Sequence, residues 1–291
     1  MPGARFEVEE VSGRVAFRTF HELPHVLLRE EPRWSAPLAA WDRARLDPQR
    51  NPFFVKGDAA YFILRHLGRP AGRITAHIAA DDDLQGWFGF YDVIDDAAGT
   101  AALVEAAAAW LLERGCTSMT GPASFTLDDE LGVLVSGFDV PGTTGRPWHP
   151  PWYGETLVAA GLEEVAGTRR GSWRLPATGG AQLNRTGAID VPELVGPYGD
   201  RRLLLAGPTG SIAGVPDLTV ARGSALALAR RAKRGEWESC TVVRCEGNPA
   251  ELVPGLQAAA GEAGYAWVVA AWSPDPRAAP EAEHATFTTS L

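Results

Sequence analysis

Lysine, cysteine and long apolar segments are all scarce in this 291-residue chain. The chain has two lysines, Lys56 and Lys233, so nearly all of its positive charge comes from arginine. It has three cysteines, Cys116, Cys240 and Cys245. An odd cysteine number without a framework spacing excludes a disulfide-stapled secreted domain and favours a reducing compartment. No run approaches the roughly 18 apolar residues of a membrane helix, and the N-terminal residues lack an apolar signal core. We therefore expect a cytoplasmic protein with no membrane partner.

The charge balance also narrows the choice of partners. The formal net charge is −9, and 45% of the residues are hydrophobic. Such a chain has enough apolar material for one large or two ordinary globular cores. A negative net charge opposes tight, nonspecific capture of nucleic acid, although a local basic patch is compatible with it. The sequence leaves the oligomeric state open.

The chain repeats one pattern of elements. A β-rich run at 61–64 leads into two glycines four residues apart, and a similar run at 202–205 does the same. Further on, 88–115 and 242–264 each predict a strand, a loop and an Ala-rich helix, and this internal similarity predicts two related units. We predict an N-terminal domain at 1–175, a turn-rich linker at 176–187 and a degenerate second domain at 188–291.

Periodicity and capping residues predict the individual elements. Pro24 is expected to open a short helix, because proline is tolerated in a first helical turn. The other predicted elements are an edge strand near 5–18, a helix at 34–46, a hairpin at 59–78, a strand at 87–94, a helix at 97–114, a strand at 116–120, a helix at 152–160, a strand at 163–175, a helix at 224–234 and a last strand near 285–289.

This order of elements resembles the GNAT acyltransferase superfamily. The segments 46–54, 121–122, 129–138 and 150–153 resemble, more narrowly, a poorly characterised bacterial branch of GNAT-like proteins. The resemblance implies an α/β (α+β mixed) fold, in which a twisted mixed sheet flanked by helices is duplicated as two units. It also implies that two central parallel strands diverge and admit the pantetheine arm of acyl-CoA.

In that superfamily the donor lies at the end of the first diverging strand and the start of the next helix. The resemblance thus implies that donor contacts come from Tyr91, Asp92, Val93, Ala97, Ala98, Gly99 and Thr100. The sequence departs from the family here, because Asp95 and Asp96 at the helix start would repel a pyrophosphate. Gly99 and the alanine pair are expected to leave backbone exposed, which keeps this loop as the candidate.

Two residues are candidates for the proton transfers of an acyltransferase. Glu130 follows a predicted strand end, where it is a candidate general base for an amine. Asp129 and Glu130 could instead bind a cationic substrate, or form a solvated acidic loop. Many GNAT enzymes place a tyrosine four residues before the glycine of the late helix, where this chain has Leu157. Tyr153 lies one turn earlier on the same face and is the candidate acid.

His149 and Trp152 lie in a proline-rich aromatic turn that either lines the acceptor pocket or packs on the core. His21 and His25 complete an H-E-x-x-H zinc-protease pattern, but Pro24 between them is predicted to prevent one continuous helix. We therefore expect no metal site.

The leading hypothesis is acyl transfer from acyl-CoA, or another thioester, to an amine of a small molecule. One alternative is an aminoacyl-tRNA-dependent transferase, with a basic cluster at 230–234 contacting the RNA. That cluster also suits the C-terminal end of the predicted helix at 224–234. A third hypothesis is a non-catalytic binding protein with a decayed site. The sequence does not identify which unit is active.

Overall fold

A computed structural model describes residues 6–34, 36–37, 39–79, 84–142, 146–167, 169–176, 218–222, 225–231, 239–246, 249–262, 267–270 and 277–291. These residues form two mixed seven-stranded sheets, a small two-stranded sheet and flanking helices. The α/β class with a mixed sheet is thus confirmed.

The described helices are α1 (Gly13–Leu27), α2 (Ala39–Leu46), a 3-10 helix (Pro52–Val55), α3 (Ala97–Leu112), α4 (Trp152–Ala159) and α5 (Pro249–Glu262). The described strands are β1 (Phe6–Glu10), β2 (Asp58–His66), β3 (Arg69–Ile78), β4 (Gln85–Val93), β5 (Ser118–Gly121), β6 (Ala123–Ser124), β7 (Thr126–Leu131), β8 (Val133–Ser136), β9 (Glu163–Glu164), β10 (Arg170–Pro176), β11 (Leu218–Arg222), β12 (Ala225–Arg231), β13 (Ser239–Glu246), β14 (Trp267–Ala270), β15 (Ala282–Ala285) and β16 (Phe287–Ser290).

The first sheet has the order β1-β2-β3-β4-β5-β16-β9. Strands β1 to β4 form an antiparallel meander, whereas β4 and β5 are parallel. Parallel neighbours need a crossover, and α3 provides it. The hairpin predicted at 59–78 and the predicted β-α-β crossover are therefore confirmed.

Alternation along β2 buries both faces of this sheet. Phe62 and Leu64 belong to the cluster that packs with α3, whereas Tyr61 and Ile63 belong to the cluster that packs with Phe20 of α1. Because successive strand residues point to opposite faces, one apolar run supplies two cores. The sheet therefore separates an α3 face from an α1 face.

Helix α1 corrects the predicted N-terminal elements. The strand predicted at 5–18 ends at Glu10, and one helix runs from Gly13 to Leu27 with Pro24 in its last turn. Pro24 therefore does not open the helix. In the second half of α1, Phe20 and Leu23 pack into the core and are almost fully buried. This tertiary packing offsets the cost of a proline inside the helix.

The second sheet has the order β11-β12-β13-β14-β10-β15-β8. Its β13 and β14 are parallel and are linked through α5, which confirms the predicted second strand–helix–strand pattern. The helix predicted at 224–234 is wrong, because 225–231 forms β12. The glycine turn predicted at 210–214 and most of the predicted linker lie outside the described residues.

Strands from distant parts of the chain complete each sheet. The last strand, β16, pairs with β5 and β9 of the first sheet, whereas β8 and β10 belong to the second. The segment predicted as a single strand at 163–175 is divided between both sheets, as β9 and β10. The domain boundaries at 175 and 188 remain a prediction, but the strand predicted to close the second unit closes the first sheet.

Candidate functional site

Ladder pairing between β4 and β5 covers only part of β4 at the centre of the first sheet. They pair only from Gln85 to Trp87 on β4, opposite Ser118 to Thr120, although β4 continues to Val93. Among the described residues, nothing in β5 pairs with the rest of β4. Residues 88–93 of β4 therefore have no ladder partner in β5, and we call this unpaired interval the wedge.

The backbone is unusual where the wedge opens. Phe90 and Phe125 have φ angles of +45° and +66°, a region that bulky side chains rarely adopt. A Cβ added to Gly89 would lie 1.8 Å from the Ala123 carbonyl oxygen, so only glycine allows the 122–125 segment to pass so close to β4. Strained backbone of this kind concentrates at functional sites.

Glu130 lies on the α1 face of the sheet, beside this segment. Its Oε2 is within 3.2–3.3 Å of both terminal nitrogens of Arg45, and it accepts a hydrogen bond from Ser124 Oγ at 3.3 Å. None of these contacts uses Oε1. Arg45 itself lies over the Phe90 ring at 4.8 Å. Oε2 of the Glu130 carboxylate is therefore held in place, and no contact of Oε1 is seen among the described side chains.

Asp42 fixes Arg45 from the other side. Its Oδ1 accepts a hydrogen bond from Arg45 Nη2 at 2.7 Å, and its Oδ2 lies 3.4 Å from His21 Nε2. Burial by itself would raise the pKa of Asp42, but Arg45 and Arg73 outweigh it and lower the pKa. Burial also lowers the pKa of His21. So many buried charges are costly, which is typical of a site kept for function.

A second ion pair lies at the end of β4. Arg73 Nε donates to Asp92 Oδ2 at 2.7 Å, and both side chains are almost completely buried. Arg73 lies 5.9 Å from the centre of the Phe90 ring, so the two arginines flank this ring. Among the described side chains, two arginines that are each paired with carboxylates thus lie near Phe90, in the part of β4 that does not pair with β5.

Tyr153 connects α4 to the second ion pair. Its hydroxyl donates to Asp92 Oδ1 at 3.3 Å and accepts from the Val93 N–H at 3.2 Å. Burial, followed by the negative charge of Asp92, raises the pKa of Tyr153 well above its usual value. Trp152 Nε1 donates to the Val93 carbonyl oxygen at 3.3 Å. The start of α4 therefore holds the end of β4.

The residues predicted to contact the donor are mostly engaged within the protein. Tyr91 shares hydrogen bonds with Thr100 and Thr156 at 2.9 and 3.3 Å. The Val93 amide is held by Tyr153. Gly99 is buried, because a Cβ there would come within 2.9 Å of Leu64 Cδ2. Gly99 therefore serves packing, and the expectation that it leaves backbone exposed is wrong.

The first turn of α3 does not offer free amides to a pyrophosphate. The Asp96 side chain caps it by accepting from the Ala98 and Gly99 N–H groups at 2.9 and 3.2 Å. Ala97 and Ala98 are exposed, but the carboxylate occupies the position that an anion would take. The nucleotide part of acyl-CoA does not fit this turn as it stands.

His149 lies beside Tyr153, and Trp152 adjoins it. The ring centres of His149 and Tyr153 are 5.5 Å apart, and His149 Nδ1 accepts from the Leu134 N–H at 3.1 Å. Burial lowers the pKa of His149 to about 3, so the ring is neutral. Its inward packing supports the structural alternative for the aromatic turn. The Asp129 side chain lies outside the described residues.

The H-E-x-x-H histidines lie on one continuous helix, contrary to prediction, with ring centres 6.4 Å apart. Even so, no group of three metal-ligating side chains is brought together within the part of the chain that the structure describes. Sequence reasoning missed Asp42, Arg45 and Arg73. The Asp-x-x-Arg spacing on a short helix could have indicated an ion pair between Asp42 and Arg45. No sequence pattern indicated a site role for Arg73.

Comparison with solved structures identifies the fold. A tandem GNAT protein from the clavulanic acid biosynthesis pathway superposes with a TM-score of 0.59, covering 98% of each chain at 11% identity. The chain has the GNAT fold. No protein-family model matches it. Among the described residues, no helix combines the length and apolar character needed to cross a membrane.

Two curated relatives share part of the GNAT-fold chain. It is 35% identical over 168 residues to the bacterial ceramide synthase of Caulobacter vibrioides, covering 56% of this chain and 44% of that protein. It is 33% identical over 155 residues to the protein YghO of Escherichia coli, covering 50% and 39% respectively. The chain thus spans less than half the length of these relatives.

Proposed function

We propose that this protein transfers an acyl group from a thioester to the primary amine of a small molecule, and that this molecule is a long-chain amine. The observation that carries the proposal is the Glu130 carboxylate, which is anchored through Oε2, with no contact of Oε1 among the described side chains, beside the part of β4 that does not pair with β5 in a GNAT fold. An anchored carboxylate of this kind suits a general base.

In the proposed reaction, Glu130 takes a proton from the acceptor ammonium group. The neutral amine then attacks the thioester carbonyl carbon, the new C–N bond forms, and the C–S bond breaks to release a thiolate. The nitrogen gives up its second proton to water, which returns a proton to Tyr153 after that residue has protonated the thiolate. Tyr153 is the proposed proton donor to that thiolate, since its raised pKa keeps it protonated at neutral pH. The products are an amide and a free thiol.

The nature of the acceptor is inferred from the α1 face of the sheet. Next to Glu130 this face carries a buried core cluster of aromatic and aliphatic side chains: Phe20, Leu46, Phe53, Tyr61, Ile63, Phe90 and Phe125. An apolar wall beside a carboxylate suits a cationic head followed by a hydrocarbon chain. The relative named a ceramide synthase supports the same class, because a ceramide is a long-chain amine acylated on nitrogen.

Acyl-CoA is the thioester to test first. We assign no step to its nucleotide, because Asp96 occupies the first turn of α3. A non-catalytic binding protein is the second candidate, and that same capped turn favours it. The two candidates differ in turnover, since a binding protein would retain thioester and amine without forming an amide.

The test is amide formation from acyl-CoA and a long-chain amine, measured by mass spectrometry on the full chain. Glu130→Gln should lower kcat about a hundredfold or more, because the amide side chain cannot take the proton. Glu113→Gln, an exposed carboxylate at the end of α3, is the matched control and should be fully active. Undiminished turnover in Glu130→Gln would remove the base assignment, and absence of amide with every thioester would favour the binding protein.

A further inference from the structure

Two arginines lie beside His284 of the second sheet. Arg170 is on β10, directly opposite His284 of β15, and residues that stand opposite each other in an antiparallel pair share a face of the sheet. Arg146 immediately precedes Pro147, whose carbonyl oxygen accepts a hydrogen bond from His284 Nε2 at 2.9 Å. Strand pairing on one side of His284 and this hydrogen bond on the other therefore bring the two arginines together.

Arg146 is a cation that lacks a carboxylate partner. Its side chain is half-buried, and it forms no ion pair with any carboxylate of the described residues. Burial, followed by the positive charge of Arg170, lowers the pKa of Arg146 to about 10. A cation that is partly removed from water beside a like charge is unfavourable unless an anion accompanies it. The arrangement therefore suits an anion supplied by a ligand.

The neighbouring carboxylates are engaged with a different arginine. Glu283 of β15 accepts a hydrogen bond from Ser136 Oγ at 3.0 Å, and the same oxygen lies 3.7 Å from Arg169 Nη1. Glu164 accepts two hydrogen bonds from Arg169, at 2.6 and 3.0 Å. Arg169 thus has the carboxylate partners that Arg146 lacks, although it is adjacent to Arg170 in the chain.

Solvent reaches the two arginines. Arg146 is half-buried and Arg170 is exposed, so an anion can approach them without a rearrangement of the core. Burial, with smaller effects of His149 and Arg146, lowers the pKa of His284 to about 3, so the ring between the arginines is neutral. The positive charge that faces an entering anion is therefore that of the two guanidinium groups.

Two guanidinium groups match a phosphate monoester. Such an ester carries about −1.5 to −2 charge near pH 7 and three acceptor oxygens, whereas a carboxylate carries a single charge and two oxygens. The planar guanidinium donates pairs of parallel N–H groups that fit phosphate oxygens. A doubly charged group would also offset the repulsion between Arg146 and Arg170.

We propose that Arg146 and Arg170 form a binding site for a phosphate monoester, carried either by a soluble metabolite or by a lipid headgroup. The site is built on β10, β15 and the segment before Trp148, and it does not include Glu130. It therefore does not depend on the proposed acyl transfer, and either proposal can fail without the other.

The test is calorimetric binding of phenyl phosphate and benzoate to the full chain. The wild type should bind phenyl phosphate at least about tenfold more tightly than benzoate, because charge-assisted hydrogen bonds are the strong ones. Arg146→Gln and Arg170→Gln should each weaken the binding of phenyl phosphate by about tenfold or more. Arg169→Gln removes the same charge from the adjacent, carboxylate-paired arginine and should leave the affinity close to that of the wild type.

Thermal unfolding without phosphate separates a binding role from a structural one. Arg146→Gln should unfold at the same temperature as the wild type or at a higher one, because the substitution removes a partly desolvated cation with no carboxylate partner. A structural arginine would lower the unfolding temperature when it is replaced. If Arg146→Gln does not fold, the exposed Arg170→Gln decides the question by its affinity alone.

Vesicles distinguish the two sources of the phosphate. Cosedimentation compares phosphatidic acid, a monoester, with the diester phosphatidylglycerol at equal mole fractions in phosphatidylcholine vesicles. Retention on phosphatidic acid alone, lost in Arg146→Gln, would assign the site to a lipid headgroup, whereas binding of phenyl phosphate without retention would assign it to a soluble ester. Absence of binding to both, equal affinity for phenyl phosphate and benzoate, or an equal loss in Arg169→Gln would overturn the site.

Discussion

At the scale of single residues, the site depends on a few buried charges that constrain one another. Asp42 holds Arg45, Arg45 holds Glu130, and Arg73 holds Asp92. Buried ion pairs of this kind stabilise a fold little, because desolvation offsets the attraction, but breaking one is expensive. Their presence between α1, α2 and β4 is better explained by the chemistry that they position.

Tyr153→Phe tests the proposed acid. If Tyr153 protonates the thiolate, the variant should lose about a hundredfold in kcat with an alkyl thioester. The loss should disappear with an aryl thioester, because a thiolate of low basicity leaves without a proton. Steady-state kinetics with the two thioesters measures this difference. An equal loss with both would assign Tyr153 to positioning β4 through Val93 instead.

His284 makes stability depend on pH. Its Nε2 donates to the Pro147 carbonyl oxygen at 2.9 Å, and burial lowers its pKa to about 3 from a usual 6.5. Because the folded pKa is the lower one, the stabilisation is present above 6.5 and is lost as the pH falls toward 3. Between pH 7 and pH 5, protonation of this group in the unfolded state lowers the free energy of unfolding by about 2 kcal/mol.

Between pH 7 and pH 5, the free energy of unfolding should fall by about 2 kcal/mol less in His284→Gln than in the wild type. Urea unfolding at both pH values measures this difference. Glutamine keeps a donor for the Pro147 carbonyl but does not titrate. Above pH 7 the two proteins should respond to pH alike. A parallel decline between pH 7 and 5 would contradict the assignment.

At the scale of elements, ladder pairing of β4 with β5 stops where the end of β5 and the segment after it cross β4 closely. Gly89 and Gly121 allow this approach, since a Cβ on Gly121 would lie 2.3 Å from the Phe88 carbonyl oxygen. The register of β3 and β4 shifts between Arg73 and Thr75, which is consistent with an irregular β4 at this point. The interruption of pairing therefore depends on a few positions.

Gly89→Ala should destabilise the protein by about 3 kcal/mol or more, because the new methyl group meets the backbone of Ala123. Gly154→Ala is the matched control on α4, where the added Cβ would have its nearest neighbours at 3.6–4.0 Å. It should be neutral or gain up to about 1 kcal/mol of helix propensity. Urea denaturation of both variants measures the difference, and equal stabilities would refute the close crossing.

At the scale of the whole molecule, the chain ends in the sheet in which it begins. Phe287 of β16 is almost fully buried in the main core beside α3 and α4. The predicted N-terminal domain at 1–175 therefore lacks a strand that lies between β5 and β9. A domain boundary at residue 175 separates β16 from β5 and β9, the two strands with which it pairs.

A fragment of residues 1–175 should fail to fold cooperatively. Joining residues 1–176 through a short turn to 282–291 should restore a cooperative transition, because β10 and β15 are antiparallel neighbours. Circular dichroism during thermal unfolding distinguishes the two proteins. The same graft with Phe287→Ala should lose about 3–5 kcal/mol, which controls for the added length. A cooperative transition in the bare fragment would show that β16 is dispensable.

Local pattern determined most of the regular elements. Apolar alternation predicted the 59–78 hairpin, and a cap at Asp95 or Asp96 with the Ala-rich continuation predicted α3, because these signals act within a few residues. The prediction from local pattern was wrong at Pro24, because packing of Phe20 and Leu23 allows the helix to continue through a residue that normally breaks helices. It also failed at 225–231, where pairing with β11 and β13 overrides helix propensity.

The sequence by itself determined the GNAT type of fold and singled out Glu130 and Tyr153. Only the tertiary structure decided that Arg45 and Ser124 hold one oxygen of Glu130, that Tyr153 bonds to Asp92, and that β16 completes the first sheet. The physical reason is the sequence separation over which each kind of interaction acts. Capping and periodicity act between near neighbours, whereas buried charge pairing and strand order join residues that lie far apart in the chain.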